Sequence, residues 1–358
     1  MLKRWVVERG AAPGASAYVA RFDGTAWRSA EGAAGVHSGS GSAQVTPETI
    51  YDLASLTKPV VACTLARRIR AGELGWGSTL GSLLPEATGT ASEAVPLRLF
   101  ASHRAGLVAH VRLRDTGVAQ AGWLALCAGA RRPECQTALP DEGFAPLYSD
   151  LGYILMGELL ERRTGTALER LVRWEVAEPH ALELDSAQGW AERLGQERFL
   201  ASVAPTELVS ERGGLLWGVV HDDNAWDTRG RGLAGHAGLF GTAAAVGGFA
   251  QALLDALAGR SQWLSPEQAG ALVEPRPGGS LRTGFDGKAS EGSSAGSSFG
   301  AQAFGHLGFT GTSLWCDPEA SVAVVLLTNR VHPSRENVRI RDVRPDVHGA
   351  LFGLAAGL

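Results

Sequence analysis

Apolar residues recur along this chain in two periods, and the two periods occupy different regions. Near the start, Ala15-Ser16-Ala17-Tyr18-Val19-Ala20-Arg21-Phe22 alternates apolar and polar, the mark of a strand. Asp23-Gly24 is a hairpin signal, and Thr25 to Ala30 reads as the returning strand. Near the end, Gly311 to Pro318 and Ser321 to Asn329 read as two more strands, with the turn at Asp317 to Ala320. Between these ends, from roughly Leu65 to Val220, the period is helical with Gly and Pro breaks. Its clearest stretch is Leu151 to Thr164, where Leu151, Ile154, Leu155 and Leu159 share a face and Gly165 stops the run. Ala237 to Leu257 is predicted as a further apolar helix and residues 344–357 as a closing one. Residues 1–14 predict a short helix stopped by Pro13-Gly14. Gly35 to Ser42 and Pro275 to Ala303 are rich in Gly and Ser. The second is read as a mobile loop placed to gate a cleft. No internal repeat is present.

Strands at both ends with helices between them imply an antiparallel sheet assembled from the two termini, with a helical insertion packed beside it. The expected fold class is a two-lobed α/β protein. Residues 1–75 and 230–358 would form a discontinuous sheet lobe and residues 76–229 a mainly helical lobe. A ligand cleft is expected between them.

Composition narrows the function classes. The chain has 358 residues, 45% hydrophobic and 20% charged, which suits an ordinary globular protein with a large core. A net charge of −4 without a long run of one sign argues against a nucleic-acid or membrane-surface partner. No apolar run reaches the roughly 18 residues of a membrane span. The start, Met1 to Arg9, lacks the apolar stretch of a signal peptide. A cytoplasmic location is therefore expected if Met1 is the native start, although a trimmed chain would look the same. Cys63, Cys127, Cys135 and Cys316 are scattered and form no Cys-x-x-Cys, which argues for free buried thiols over a metal site or disulfide framework. No metal or organic cofactor is expected.

The candidate chemistry is centred on Asp52-Leu53-Ala54-Ser55-Leu56-Thr57-Lys58-Pro59. Ser55 and Lys58 are three apart, so a helix starting here puts both side chains on one face. A serine hydroxyl needs a nearby base to become a nucleophile. A lysine becomes that base when burial or a second cation lowers its pKa. The free N–H groups and positive dipole end of a helix start can stabilise an oxyanion. Pro59 is tolerated in a first turn. Two further stretches supply partners. Tyr148-Ser149-Asp150 precedes the clearest helix. Its residues could be N-caps, or Tyr148 could be an acid/base in a cleft. Phe304-Gly305-His306-Leu307-Gly308-Phe309 reads as an edge strand whose glycines allow close approach of a substrate or another backbone.

These three stretches, in this order, resemble the penicillin-recognising serine hydrolases, a superfamily of class C β-lactamases, D-alanyl-D-alanine carboxypeptidases, D-aminopeptidases and β-lactamase-like esterases. Ser55–Lys58 matches the Ser-x-x-Lys motif. Tyr148-Ser149-Asp150 matches Tyr-x-Asn with Asp last, and His306-Leu307-Gly308 matches Lys-Thr-Gly in a His-x-Gly form. Flanking similarity spans nearly the whole chain, including Ser102-His103-Arg104-Ala105-Gly106-Leu107 and Gly235-His236-Ala237-Gly238. The resemblance implies Ser55 as acylated nucleophile, Lys58 as its proton acceptor or relay and Tyr148 as proton shuttle. It implies an oxyanion hole from the N–H groups of Ser55 and Phe309, the residue after Gly308. By the same resemblance His306 anchors a substrate carboxylate if charged or steers Tyr148 if neutral. His110 would lie near the substrate amide and His236 on the far wall, with a structural role for either left open. Asp150 in place of Asn accepts hydrogen bonds only and can hold Lys58 charged. These departures tilt the expectation towards an esterase on small esters, with a D-aminopeptidase, D,D-carboxypeptidase or weak β-lactamase as alternative. A non-catalytic penicillin-binding or scaffolding protein is the alternative of another class. The partner expected is a small ester, amide or peptide, and the oligomeric state stays open.

Overall fold

The computed structural model describes residues 1–39 and 41–358; Ser40, inside the Gly/Ser-rich stretch 35–42, lies outside the described residues. Six strands form one sheet: β1 (Gly14–Phe22), β2 (Trp27–Gly35), β3 (Asp286–Gly287), β4 (Phe304–Leu307), β5 (Ser313–Asp317) and β6 (Val322–Thr328). Their order across the sheet is β2-β1-β6-β5-β4-β3, and each described pairing is antiparallel. The two chain ends meet where β1 pairs with β6, with Ala15 opposite Thr328 and Arg21 opposite Val322.

All seven residues of β6 are buried, so both of its faces are covered. Val322, Val324 and Leu326 point to one side. There they join Ala15, Ala17 and Val19 of β1 against Val343, Val347 and Leu351 of the closing helix. Ala323, Val325 and Leu327 point to the other side, into the core that holds Phe249, Ala250 and Leu253 of a second helix. The principal helices are α1 (Thr57–Arg70), α2 (Asp150–Thr164), α3 (Ala243–Leu257) and α4 (Ile340–Ala356). α1 is buried from Thr57 through Ala66, which explains its apolar residues on every side. Helices thus flank an antiparallel sheet in a two-lobed α/β arrangement.

Three local readings change. Ala237 to Leu257 is not one helix. Leu239–Gly241 is the middle strand of a three-stranded sheet, between Tyr51–Asp52 and Leu184–Ser186, and α3 starts only after Thr242, whose side chain accepts from the Ala245 N–H. An apolar run cannot distinguish a buried strand from a buried helix, and the capping threonine makes the division. The return strand β2 runs to Gly35 rather than Ala30. The Pro275 to Ala303 stretch contains β3 and buries Arg282, Phe285, Ala295 and Phe299, while Gly278, Gly279, Ser290, Gly292, Ser297 and Ser298 stay exposed. All four cysteines are buried free thiols. Among the described residues no helix is long and apolar enough to cross a membrane.

Candidate active site

The small sheet fixes the Ser55 turn. Leu53 donates its N–H to the Leu239 carbonyl at 2.9 Å. Asp52, buried, accepts from the N–H groups of Ala54 (2.8 Å) and His221 (2.7 Å). Ala54 has φ +48°, a left-handed conformation that a non-glycine residue adopts only at a cost of roughly 1–3 kcal/mol. Asp52 holds it there, and the Thr57 hydroxyl donates to the Ala54 carbonyl at 2.7 Å. Ser55 therefore sits in a 3₁₀ turn, Ala54–Leu56, that runs directly into α1. The α-helix proper starts two residues beyond the predicted nucleophile.

Beneath Ser55, Lys58 is fully buried. Its Nζ donates to Ser55 Oγ (2.9 Å), Asp150 Oδ1 (2.7 Å) and the His236 carbonyl (3.2 Å). The last contact requires the chain at Gly235 to lie against α2: a Cβ there would come within 1.9 Å of the Tyr153 carbonyl. Burial works against the Lys58 charge, but the Asp150 carboxylate and the Tyr148 hydroxyl outweigh it and hold the ammonium above the ordinary lysine range. The pairing holds Asp150 well below the carboxylate range despite its desolvation. Asp150 Oδ2 also lies 3.3 Å from His110 Nδ1, which raises the pKa of that half-exposed imidazole. Burial raises the pKa of the Tyr148 phenol, while Lys58 and Ser55 pull it the other way. The resting inventory is an ammonium, a carboxylate and a phenol around one hydroxyl.

The N-cap reading of Tyr148-Ser149-Asp150 does not hold. Ser149 occupies the N-cap position of α2 without a side-chain cap; its hydroxyl donates to the Val108 carbonyl at 2.7 Å. Asp150 is spent on Lys58 and His110.

His306, on β4, is buried and its Nδ1 lies 2.9 Å from the Leu307 carbonyl, which makes Nδ1 the protonated nitrogen. Burial and the nearby Lys58 charge pull its pKa down to about 3, so the ring is neutral. Of its two expected roles, steering of Tyr148 is the one a neutral ring can take, and its ring lies 5.8 Å from that of Tyr148. Gly308 is required by space: a Cβ would come within 1.9 Å of Thr312 Oγ1 and 2.6 Å of the Leu53 carbonyl. Its N–H is committed to the Thr312 carbonyl at 2.8 Å. The Thr310 and Thr312 hydroxyls donate to the carbonyls of Asp52 and Leu53, tying this turn to the Ser55 turn.

Ser55, His110, Tyr148, Asp150, His306, Gly308 and Phe309 line one cleft of about 780 Å³. His236 is placed differently. Its ring is buried and 2.8 Å from Asp222 Oδ1, and its carbonyl is what reaches Lys58. Four contributors carry no role in the sequence reading. Asp52 caps the Ser55 turn, and His103 packs 4.7 Å from the Tyr148 ring. His221, bonded to Glu207, stacks on Phe309 at 5.6 Å. Arg344 on α4 is buried, donates among the described residues only to the carbonyls of Gly308 and Thr312, and is pulled down to about 9 by burial and by its neighbours Arg330 and Arg341. Among the described residues none of these three guanidiniums has a carboxylate partner, and all three line the cleft. Short polar capping signals and arginine spacing on the closing helix were present in the sequence; what they face is a tertiary fact. No group of metal-ligating residues is found among the described residues.

Comparison with known proteins places the chain in a family. A protein of Salmonella agona (strain SL483), whose name gives it as an inferred D-alanyl-D-alanine carboxypeptidase, is 26% identical over 324 residues, 82% of this chain and 72% of its own. The solved structure of EstCE1, a hydrolase with promiscuous acyltransferase activity, superimposes with a TM-score of 0.69 at 20% identity, covering 96% of each chain. A class C beta-lactamase from Rhodobacter sphaeroides gives 0.70 at 18% identity, covering 99% of this chain and 98% of its own. Both likenesses are in fold. The Beta-lactamase family model matches residues 2–347, nearly the whole chain including all three motif stretches. The chain belongs to the beta-lactamase family, within the penicillin-recognising serine hydrolase superfamily.

Proposed function

We propose that this protein is a serine hydrolase that works through an acyl-Ser55 intermediate, with small esters as its most accessible substrates. The observation that supports this most is the contact of a fully buried Lys58 with Ser55 Oγ at 2.9 Å, at the floor of an open cleft. In acylation, Ser55 Oγ bonds to the substrate carbonyl carbon and the bond to the leaving alkoxide breaks. Tyr148 acts here in its ionised form: the phenolate takes the Ser55 proton and gives it to the leaving oxygen. Water then attacks the acyl carbon, loses a proton to the phenolate and releases the acid as that proton returns to Ser55 Oγ. Because Asp150 keeps Lys58 protonated, Lys58 acts in this reading as donor and electrostatic support for the Tyr148 phenolate rather than as the base itself. The oxyanion would be held by the N–H groups of Ser55 and Phe309, since that of Gly308 is already bonded.

A second reading, a D-aminopeptidase or D,D-carboxypeptidase, is favoured by one observation. Among the described residues, Arg330, Arg341 and Arg344 line the cleft without carboxylate partners, Arg330 lies over the Phe309 ring at 4.5 Å, and an anionic substrate group would offset the cost of burying Arg344. Neutral His306 cannot supply that charge.

The test is hydrolysis of a short p-nitrophenyl ester and of a D-alanyl peptide by wild type and by Ser55→Ala. Turnover of the ester that disappears in Ser55→Ala, with an acyl adduct on Ser55 by mass spectrometry, is the expected result. Equal rates in both proteins would overturn the mechanism. Ser55-dependent cleavage of the peptide in preference to the ester would establish the second reading.

A further inference from the structure

We propose that His103 is the positioning residue for Tyr148, clamping the backbone on both sides of it so that its phenol meets Ser55 and Lys58. This rests on the reading of Tyr148 as the proton carrier. The His103 carbonyl accepts from the Leu147 N–H at 3.1 Å, and its ring Nδ1 accepts from the Ser149 N–H at 3.0 Å. Those two amides are the immediate neighbours of Tyr148 in the chain. The imidazole itself packs against the phenol ring, with centroids 4.7 Å apart and planes tilted by 31°. Tyr153 also lies against it, at 5.4 Å, and its hydroxyl donates to the Ala101 carbonyl at 2.9 Å. One side chain and its own carbonyl therefore fix the main chain before Tyr148, the main chain after it and the face of its ring.

His103 does this from a backbone of φ +59°, left-handed and unfavourable for a residue with a Cβ. The turn is held in place: the His103 N–H bonds the Phe100 carbonyl at 3.1 Å, and the following N–H, of Arg104, bonds the Leu99 carbonyl at 2.7 Å. Histidine chemistry adds a constraint. Nδ1 accepts from Ser149, so the ring proton is on Nε2 and the ring is neutral. The groups bearing on its charge are Lys58 and His306, which oppose protonation, and Asp150, which favours it. Burial outweighs Asp150, and the pKa falls to about 3. A charged His103 would turn an N–H towards the Ser149 N–H and open the clamp.

Replacements separate the acceptor from the ring. Asn places its amide oxygen near the Nδ1 position and tolerates the left-handed backbone. Gln carries its polar atoms one bond further and leaves the Ser149 N–H unmatched. Phe keeps the ring and no acceptor. His103→Phe and His103→Gln are expected to lose about 100-fold in kcat on the p-nitrophenyl ester with KM changed less than about threefold, as for a proton carrier misplaced by roughly 1 Å. His103→Asn is expected to recover to within about tenfold of wild type. Melting temperatures of all three, with Tyr148→Phe alongside, complete the set. A His103→Asn protein no better than His103→Gln, with losses that follow melting temperature, would overturn the proposal and leave a structural residue. Full kcat in His103→Phe or His103→Gln beside a dead Tyr148→Phe would also overturn it while sparing the role of Tyr148. Full kcat in Tyr148→Phe would remove that role and the proposal together.

Discussion

Asp150 sets the resting protonation of the site. Its carboxylate is the main influence keeping Lys58 charged, and it also opposes ionisation of Tyr148. Asp150→Asn removes both effects at once. The sign follows directly: without the negative charge the phenol loses its proton more easily, so the rising limb of the pH–rate profile, set by the Tyr148 phenolate, moves to lower pH, and the falling limb set by loss of the Lys58 proton moves the same way. Each unit of that movement raises the competent fraction at neutral pH by about tenfold. The check is kcat/KM of the wild type and the variant from pH 6 to 10 on the same ester. A limb that stays put, or moves to higher pH, would show that Asp150 does not hold the proton inventory. In the sequence the same residue was legible as a mismatch to the Tyr-x-Asn pattern that could hold Lys58 charged, and the pair forms at 2.7 Å. Its second partner, His110, comes from a loop forty residues away and could not be paired with it by spacing.

The turn between β4 and β5 joins the third motif to the first. Thr310 and Thr312 reach the carbonyls of Asp52 and Leu53, and Gly308 lets them do so by having no side chain in the way. Gly308→Ala is expected to cost about 1–3 kcal/mol of stability, the range for forcing extra volume into a packed site, and to lower the ester rate more than the stability loss explains. Gly270→Ala is the contrast. Gly270 lies in the helix Pro266–Val273, and a Cβ added there would meet nothing within 4 Å, so the same change should stabilise by about 0.5–1 kcal/mol. Urea denaturation of both variants measures the difference. Equal small effects would mean that the Gly308 turn yields easily and does not lock the two motifs. Helix α2 illustrates how element-level signals can mislead. Its period and its Gly165 stop were readable, but the polar residues at its start serve Lys58, His110 and the Val108 carbonyl instead of capping it.

Across the whole molecule, burial of neutral histidines gives stability a definite pH dependence. His103, His306 and His348 are held at about 3 against an ordinary 6.5, in each case chiefly by burial. Between those values the unfolded chain binds protons that the fold refuses, so stability is complete above about pH 6.5 and falls as pH drops through the window. Each histidine contributes about 1.4 kcal/mol per pH unit well inside it. Glu207, held near 2 by His221 and Arg335 in spite of desolvation, adds a further loss as pH falls below its ordinary 4.5. Melting temperature should therefore be level from pH 8 to 7 and decline steeply from 6 to 4. A level profile down to pH 5 would contradict the neutral assignment of these rings.

The sequence by itself determined the family, the order of the three motifs, the strands at both ends and the strongest helix, because periodicity and motif spacing are local properties that survive without coordinates. It also contained Ser55, Lys58, Tyr148 and His306 as a set. Tertiary structure alone decided their state. Lys58 is charged because α2 delivers Asp150 to it. His306 is neutral because β4 is covered and Lys58 lies close by. Leu239–Gly241 is a strand because Tyr51–Asp52 and Leu184–Ser186 pair with it. Protonation and pairing depend on what is brought near from distant parts of the chain, and that proximity is a property of the folded molecule.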